Sequence, residues 1–124
     1  MKISGRKFHH LNLKVTNLDE AIKYYTETLG FSFLGKYEGS FLDFAFVTDG
    51  NITYELIADE NLTKGYFDHV AYTSDDINAD YEYYKALGLT TTEIGFVDYL
   101  FENGVYYFFI KGVNDERIEI CQNA

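Results

Sequence analysis

The sequence contains no proline, no tryptophan and only one cysteine among its 124 residues. Without proline, turns and helix ends must be marked by Gly, Asn and Asp. A lone cysteine, Cys121, cannot close an internal disulfide, so the expected compartment is the cytoplasm. Positive charge is scarce as well. Ten Lys and Arg stand against twenty Asp and Glu, for a formal net charge of −10. The basic residues are scattered, six up to residue 62 and four beyond it, against nine and eleven acidic ones. Binding nucleic acid by phosphate neutralisation needs clustered cations, so no nucleic-acid partner is expected. No apolar run approaches the length of a membrane-spanning helix, so no membrane partner is expected either. The stretch Met1–Lys7 is basic but no apolar core follows it, so it does not read as a signal peptide.

What is abundant is aromatic. Twelve Tyr and eleven Phe make up 19% of the chain. Tyr and Phe favour pleated surfaces, which points to a strand-rich core. A dedicated aromatic binding cup is the second reading, and the two can occupy opposite faces of one sheet. Length and ordinary apolar content indicate one α+β domain over residues 1–124.

An internal repeat organises that domain. The segment from His10 matches the segment from His69. Tyr24-Tyr25 corresponds to Tyr83-Tyr84, and Leu29-Gly30 to Leu87-Gly88 after one gap. Each copy opens with an alternating strand. In residues 9–15, Leu11, Leu13 and Val15 share one face, while His10, Asn12 and Lys14 share the other. A capped helix follows. Asn17 is the first cap, with Glu20 three residues on; Asp75 or Asp76 is the second. Leu18, Ala21, Ile22, Tyr25 and Leu29 form one helical stripe, and Ile77, Tyr81, Tyr84 and Leu87 form the other. Gly30 and Gly88 suit the left-handed residue after a helix. Strands are then expected at 31–38, 41–48 and 51–58, with turns at Gly39-Ser40 and Asp49-Gly50-Asn51. In the second copy they are expected at 90–94, 97–102, 105–111 and 116–121, with a hairpin turn at Glu102-Asn103-Gly104. The sum is two β-α-β-β-β units, about 7–58 and 67–122, forming curved mixed sheets with helices outside.

Each unit opens on a strand bearing a histidine and closes on a strand bearing a glutamate. His10 and Glu55 are 45 residues apart, and His69 and Glu119 are 50 apart. All four alternate with apolar neighbours, so each projects from the face opposite them. If both sheets curve the same way, the four meet in one concave space. Two imidazoles and two carboxylates form a mixed N/O set suited to a borderline divalent metal: Ni, Co, Zn, Mn or Fe. His9 points the other way and is read as a packing or surface residue. Cys121 is read as a small buried hydrophobe.

These features resemble the vicinal oxygen chelate superfamily. It comprises glyoxalase I, bleomycin resistance proteins, methylmalonyl-CoA epimerase, fosfomycin resistance thiol transferases and extradiol dioxygenases. The resemblance lies in His10–Phe31, Tyr54-Glu55-Leu56, His69–Asp76 and Arg117–Gln122. It implies a glyoxalase-like fold and, with all four ligand positions filled, a metal site of the bacterial glyoxalase I type. The implied reaction is lyase or isomerase chemistry on a small chelating substrate, such as a 2-oxoaldehyde–thiol hemithioacetal. A proton would move between neighbouring carbons through an enediolate. By resemblance, Glu119 is the base, Glu55 its counterpart, and the protein a homodimer. Lys14 stands where glyoxalase I has an arginine for the thiol's carboxylate, Asp59 where it has an asparagine, and Gly65 where it has a second arginine. Its usual Asp-Pro-Asp-Gly turn is replaced by residues 111–116. These departures point away from glutathione itself. A non-catalytic binding module of the bleomycin-resistance type is the alternative, its cup lined by Phe44, Phe46, Tyr99 and Phe108. An Fe(II) oxygenase is disfavoured by Glu55, which occupies a position oxygen chemistry would want open.

Overall fold

A computed structural model describes residues 6–39 and 42–124. The turn expected at Gly39-Ser40 and the stretch Met1–Gly5 fall partly or wholly outside the described residues. The element order is β1 (Phe8–Val15), α1 (Leu18–Lys23) running into a π-helical turn (Tyr24–Thr28), β2 (Ser32–Glu38), β3 (Asp43–Thr48) and β4 (Thr53–Ala58). There follow β5 (Tyr66–Thr73), α2 (Ile77–Ala86), β6 (Gly95–Val97), β7 (Val105–Lys111) and β8 (Arg117–Asn123). Two compact units divide at the residues that open the repeat. One is His10–Asp68, and the other is the segment up to His9 with His69–Ala124.

In the His10–Asp68 unit the strand order is β2-β3-β4-β1. β1 and β4 are parallel; β2, β3 and β4 pair antiparallel. The apolar set of β1, Leu13 and Val15, packs with Leu18, Ala45, Val47 and Leu56. Ala21, Ile22 and Tyr25 bring α1 and its π turn onto that layer, as the stripe predicts. Asn17 caps α1, its Oδ1 accepting from the Glu20 amide at 2.9 Å. Leu29 departs from the stripe and is half exposed. The π turn adds a residue to the cycle, so the helical phase is lost before position 29.

Gly65 belongs to the same unit. A Cβ there would meet the Lys14 carbonyl oxygen at 2.7 Å, which is backbone and cannot swing aside. The missing side chain at this position therefore serves close approach of two chain segments. Gly65→Ala is expected to cost about 1–3 kcal/mol, the usual range for overpacking, readable as a lowered urea midpoint with unchanged m-value.

The other unit repeats the arrangement with order β5-β8-β7-β6. β5 and β8 are parallel, and β6, β7 and β8 pair antiparallel. Ile77 and Tyr81 of α2 pack on Phe108, Ile110 and Ile120, with Tyr84 beside them. Asp76 is the cap, accepting from the Ala79 amide at 3.1 Å. Arg6 ties the N-terminal segment down, its Nη1 donating to Asp80 Oδ2 at 2.8 Å and to the Thr73 carbonyl. The Arg6 hydrogen bond holds the Asp80 carboxyl below the usual carboxylate range. Gly30 and Gly88 both take positive φ after their helices, +76° and +73°. Leu87 sits at the C-cap of α2 and is exposed rather than facing inward.

The strands expected at 90–94 and 97–102 are not formed. Residue Thr90 makes an isolated bridge to Ile110, and Thr91 donates its amide to the Phe109 carbonyl. One short strand, Gly95–Val97, remains, and a turn occupies 98–103. The three consecutive threonines read as a strand by propensity, but Thr91 and Thr92 spend side-chain hydrogen bonds on Phe109 of β7.

Candidate functional site

Strand pairing fixes which side chains share a face. In the His10–Asp68 unit, Leu11 pairs with Tyr54 and Asn12 with Glu55, and Glu55 pairs with Phe46 on β3. His10, Asn12, Glu55 and Phe46 therefore lie on the face opposite the helix-facing core. His10 Nε2 is 3.5 Å from Glu55 Oε1, with both side chains largely buried. The His10 ring meets the Phe46 ring edge-on, centroids 5.6 Å apart. Phe44 extends the same face, with Phe46 at 6.3 Å and Tyr37 at 5.8 Å. Lys14, on the same face of β1 by alternation, is partly buried.

The other unit is built to the same plan. His69 pairs with Arg117 and Ala71 with Glu119 on β8, and Glu119 pairs with Phe109 on β7. His69 Nε2 lies 3.6 Å from Glu119 Oε1, and the Phe109 ring meets the His69 ring edge-on at 5.0 Å. The Arg117 guanidinium lies over the Phe109 ring, 4.2 Å from its centroid. Each unit thus carries a buried imidazole, a carboxylate and a phenyl edge at register-equivalent places.

These distances bear on a metal. A hydrogen bond from a ring N–H to a carboxylate would be shorter, about 2.7–3.2 Å. Two ligands at about 2.1 Å from one ion and at right angles to each other are roughly 3 Å apart. Each His–Glu pair needs only a small closure to flank an ion, and both pairs offer the N and O donors a borderline divalent metal takes. The donor sets fit.

Of the aromatic residues expected to line the site, Phe44 and Phe46 are on the site face. Tyr99 lies in the turn after β6 and is partly exposed. Phe108 is elsewhere. It is fully buried, pairs with Ile120 and packs against Tyr81 of α2 at 5.2 Å. Its neighbour Phe109 takes the site position, because adjacent strand residues face opposite sides. His9 turns away from His10, as expected, toward Asn123 and Phe101. Cys121 is fully buried. Asn12 reads from the sequence only as part of a polar face. It is fully buried and donates from Nδ2 to Glu55 Oε1 at 2.6 Å. A signal for it exists in the sequence: it lies two residues from a candidate ligand on the same strand face.

A duplicated β-α-β-β-β unit with a His–Glu pair in each copy is the arrangement of a glyoxalase-like fold. The chain belongs to the Glyoxalase/Bleomycin resistance protein/Dioxygenase superfamily, whose family model matches residues 7–116. It is 31% identical to a Vibrio cholerae protein named probable lactoylglutathione lyase, over 98% of this chain and 94% of that one. A Vibrio parahaemolyticus protein of the same name is 32% identical over the same shares. Among solved structures, a hypothetical protein from Bacillus halodurans superposes with a TM-score of 0.80 at 17% identity, covering 98% of this chain and 96% of that one. A Streptomyces coelicolor methylmalonyl-CoA epimerase superposes at 0.79 with 14% identity, covering 95% and 97%. These structural likenesses establish the fold. Among the described residues, no helix is long and apolar enough to cross a membrane.

Proposed function

We propose that this protein is a divalent-metal-dependent lyase or isomerase of the glyoxalase I type, acting on a small chelating substrate such as a 2-oxoaldehyde–thiol hemithioacetal. The observation that carries the reading is the duplicated His–Glu pair, 3.5 Å and 3.6 Å across, at register-equivalent positions of the two units. His10, Glu55, His69 and Glu119 would together hold one ion: Ni, Co, Zn or Mn. A bound ion of this kind supplies Lewis-acid polarisation of substrate oxygens. The chain's own residues do the rest. The Glu119 carboxylate takes the proton from the carbon bearing sulfur and hydroxyl and returns it to the neighbouring carbonyl carbon. The hydroxyl carbon becomes the thioester carbonyl as its O–H proton passes to the former carbonyl oxygen, which becomes the alcohol, so atoms and electrons balance without an oxidant. Phe46 and Phe109 shield the imidazoles from water, and Phe44 and Tyr99 bound the substrate. Lys14 offers one positive charge to an anionic thiol, without the bidentate fork of an arginine. We propose a homodimer as the working assembly.

The test is turnover of 2-oxoaldehyde hemithioacetals, made with several thiols, by protein loaded in turn with Ni, Co, Zn and Mn. Rising thioester absorbance with at least one pairing is expected. Metal-loaded protein that turns over none of them overturns the reading. A second reading is favoured by the Tyr37, Phe44 and Phe46 group on the site face, which suits a planar aromatic ligand. In that case metal-stripped protein binds such a ligand tightly and no chelating substrate is turned over.

A further inference from the structure

The two half-sites differ at one buried position. Register places Asn12 beside Glu55, and at the equivalent place it puts Ala71 beside Glu119. Both residues are fully buried. Asn12 Nδ2 donates to Glu55 Oε1 at 2.6 Å, the oxygen that also lies 3.5 Å from His10 Nε2. A hydrogen bond this short to a carboxylate is charge-assisted and fixes the side-chain rotamer. The methyl group of Ala71 has no donor to offer Glu119.

Packing alone does not account for an asparagine here. Asparagine is among the poorer strand formers. Its Oδ1 is buried and accepts no hydrogen bond among the described residues. A buried acceptor left unmade costs about 1–3 kcal/mol. What offsets that cost is the hydrogen bond to Glu55, so the amide is placed for that carboxylate.

We infer that Asn12 is a positioning residue that holds the Glu55 carboxylate in place to ligate the ion. The inference rests on the metal-dependent reading above. Groups that hydrogen-bond a ligating side chain typically contribute 10–100-fold to metal affinity.

The experiment is calorimetric titration of the full chain with Co²⁺, comparing wild type with Asn12→Leu, which keeps the side-chain volume and removes the amide. The variant is expected to bind Co²⁺ about 10–100-fold more weakly. The far-UV circular dichroism of the variant should match wild type, so that the loss is read at the ion site and not in the fold. Unchanged Co²⁺ affinity overturns the inference and leaves the metal-site reading intact. Wild-type protein that takes up no Co²⁺ overturns the metal-site reading itself, and the inference with it. If Asn12→Leu does not fold, the ¹⁵N side-chain amide of Asn12 in the unaltered protein serves instead. Slow solvent exchange and a displaced resonance on adding Zn²⁺ are expected. A Zn²⁺-saturated protein whose Asn12 amide is unmoved overturns the inference.

Discussion

Glu119→Gln is expected to lower kcat by about 10²–10⁴-fold while the protein stays folded. Glutamine keeps the volume and one oxygen donor of glutamate but cannot accept a proton from carbon. The backbone of Glu119 remains paired in β8, and the core beneath it is made by Ile118 and Ile120 on the opposite face. Far-UV circular dichroism and the urea midpoint should therefore change little. Glu55→Gln is the informative partner. It should weaken ion binding more than it lowers kcat at saturating ion, because Glu55 is the held carboxylate. Full turnover in Glu119→Gln would place the base on another residue.

Phe108→Ala is expected to destabilise the fold by about 3–5 kcal/mol, the range for removing a fully buried phenyl ring. Phe108 is 0% exposed and packs edge-on against Tyr81 of α2. A loss of that size is a large share of the stability of a domain this small. Urea unfolding measures it, and the folded fraction should bind Co²⁺ as wild type does. Phe109→Ala should reverse the pattern. Phe109 contacts the His69 ring and the Arg117 guanidinium, so its loss disturbs the half-site more than the core. Equal effects of the two variants on ion binding would contradict the placement of these rings.

The contrast between Phe108 and Phe109 also marks the limit of reading this site from sequence. β7 runs Val105–Lys111 with apolar or aromatic residues on both faces. Alternation carries no polarity there, and a one-residue slip exchanges the two faces. On β1, β4 and β8, polar residues alternate with apolar ones. The faces of His10, Glu55 and Glu119 are accordingly legible, and the His–Glu pairings follow from them. Asn17 as a helix cap, a second cap at Asp75 or Asp76, and Gly30 and Gly88 as helix ends are legible because each rests on local chemistry. The π turn at Tyr24–Thr28 is not, and it exposes Leu29. Nor is the collapse of 90–102 to one short strand, since it depends on Thr91 and Thr92 bonding to β7 rather than on local propensity. The role of Asn12 requires the parallel register of β1 with β4, a non-local fact that no periodicity contains.

We propose that one ion is held by His10, Glu55, His69 and Glu119. Calorimetric Co²⁺ titration of wild type and of His10→Ala, Glu55→Ala, His69→Ala and Glu119→Ala tests it most directly. About one ion per chain is expected for wild type. An affinity loss of about 10²-fold or more is expected in each variant, since each leaves the set one donor short. Undiminished binding in either repeat's pair of variants, or no Co²⁺ uptake by wild type, would contradict it.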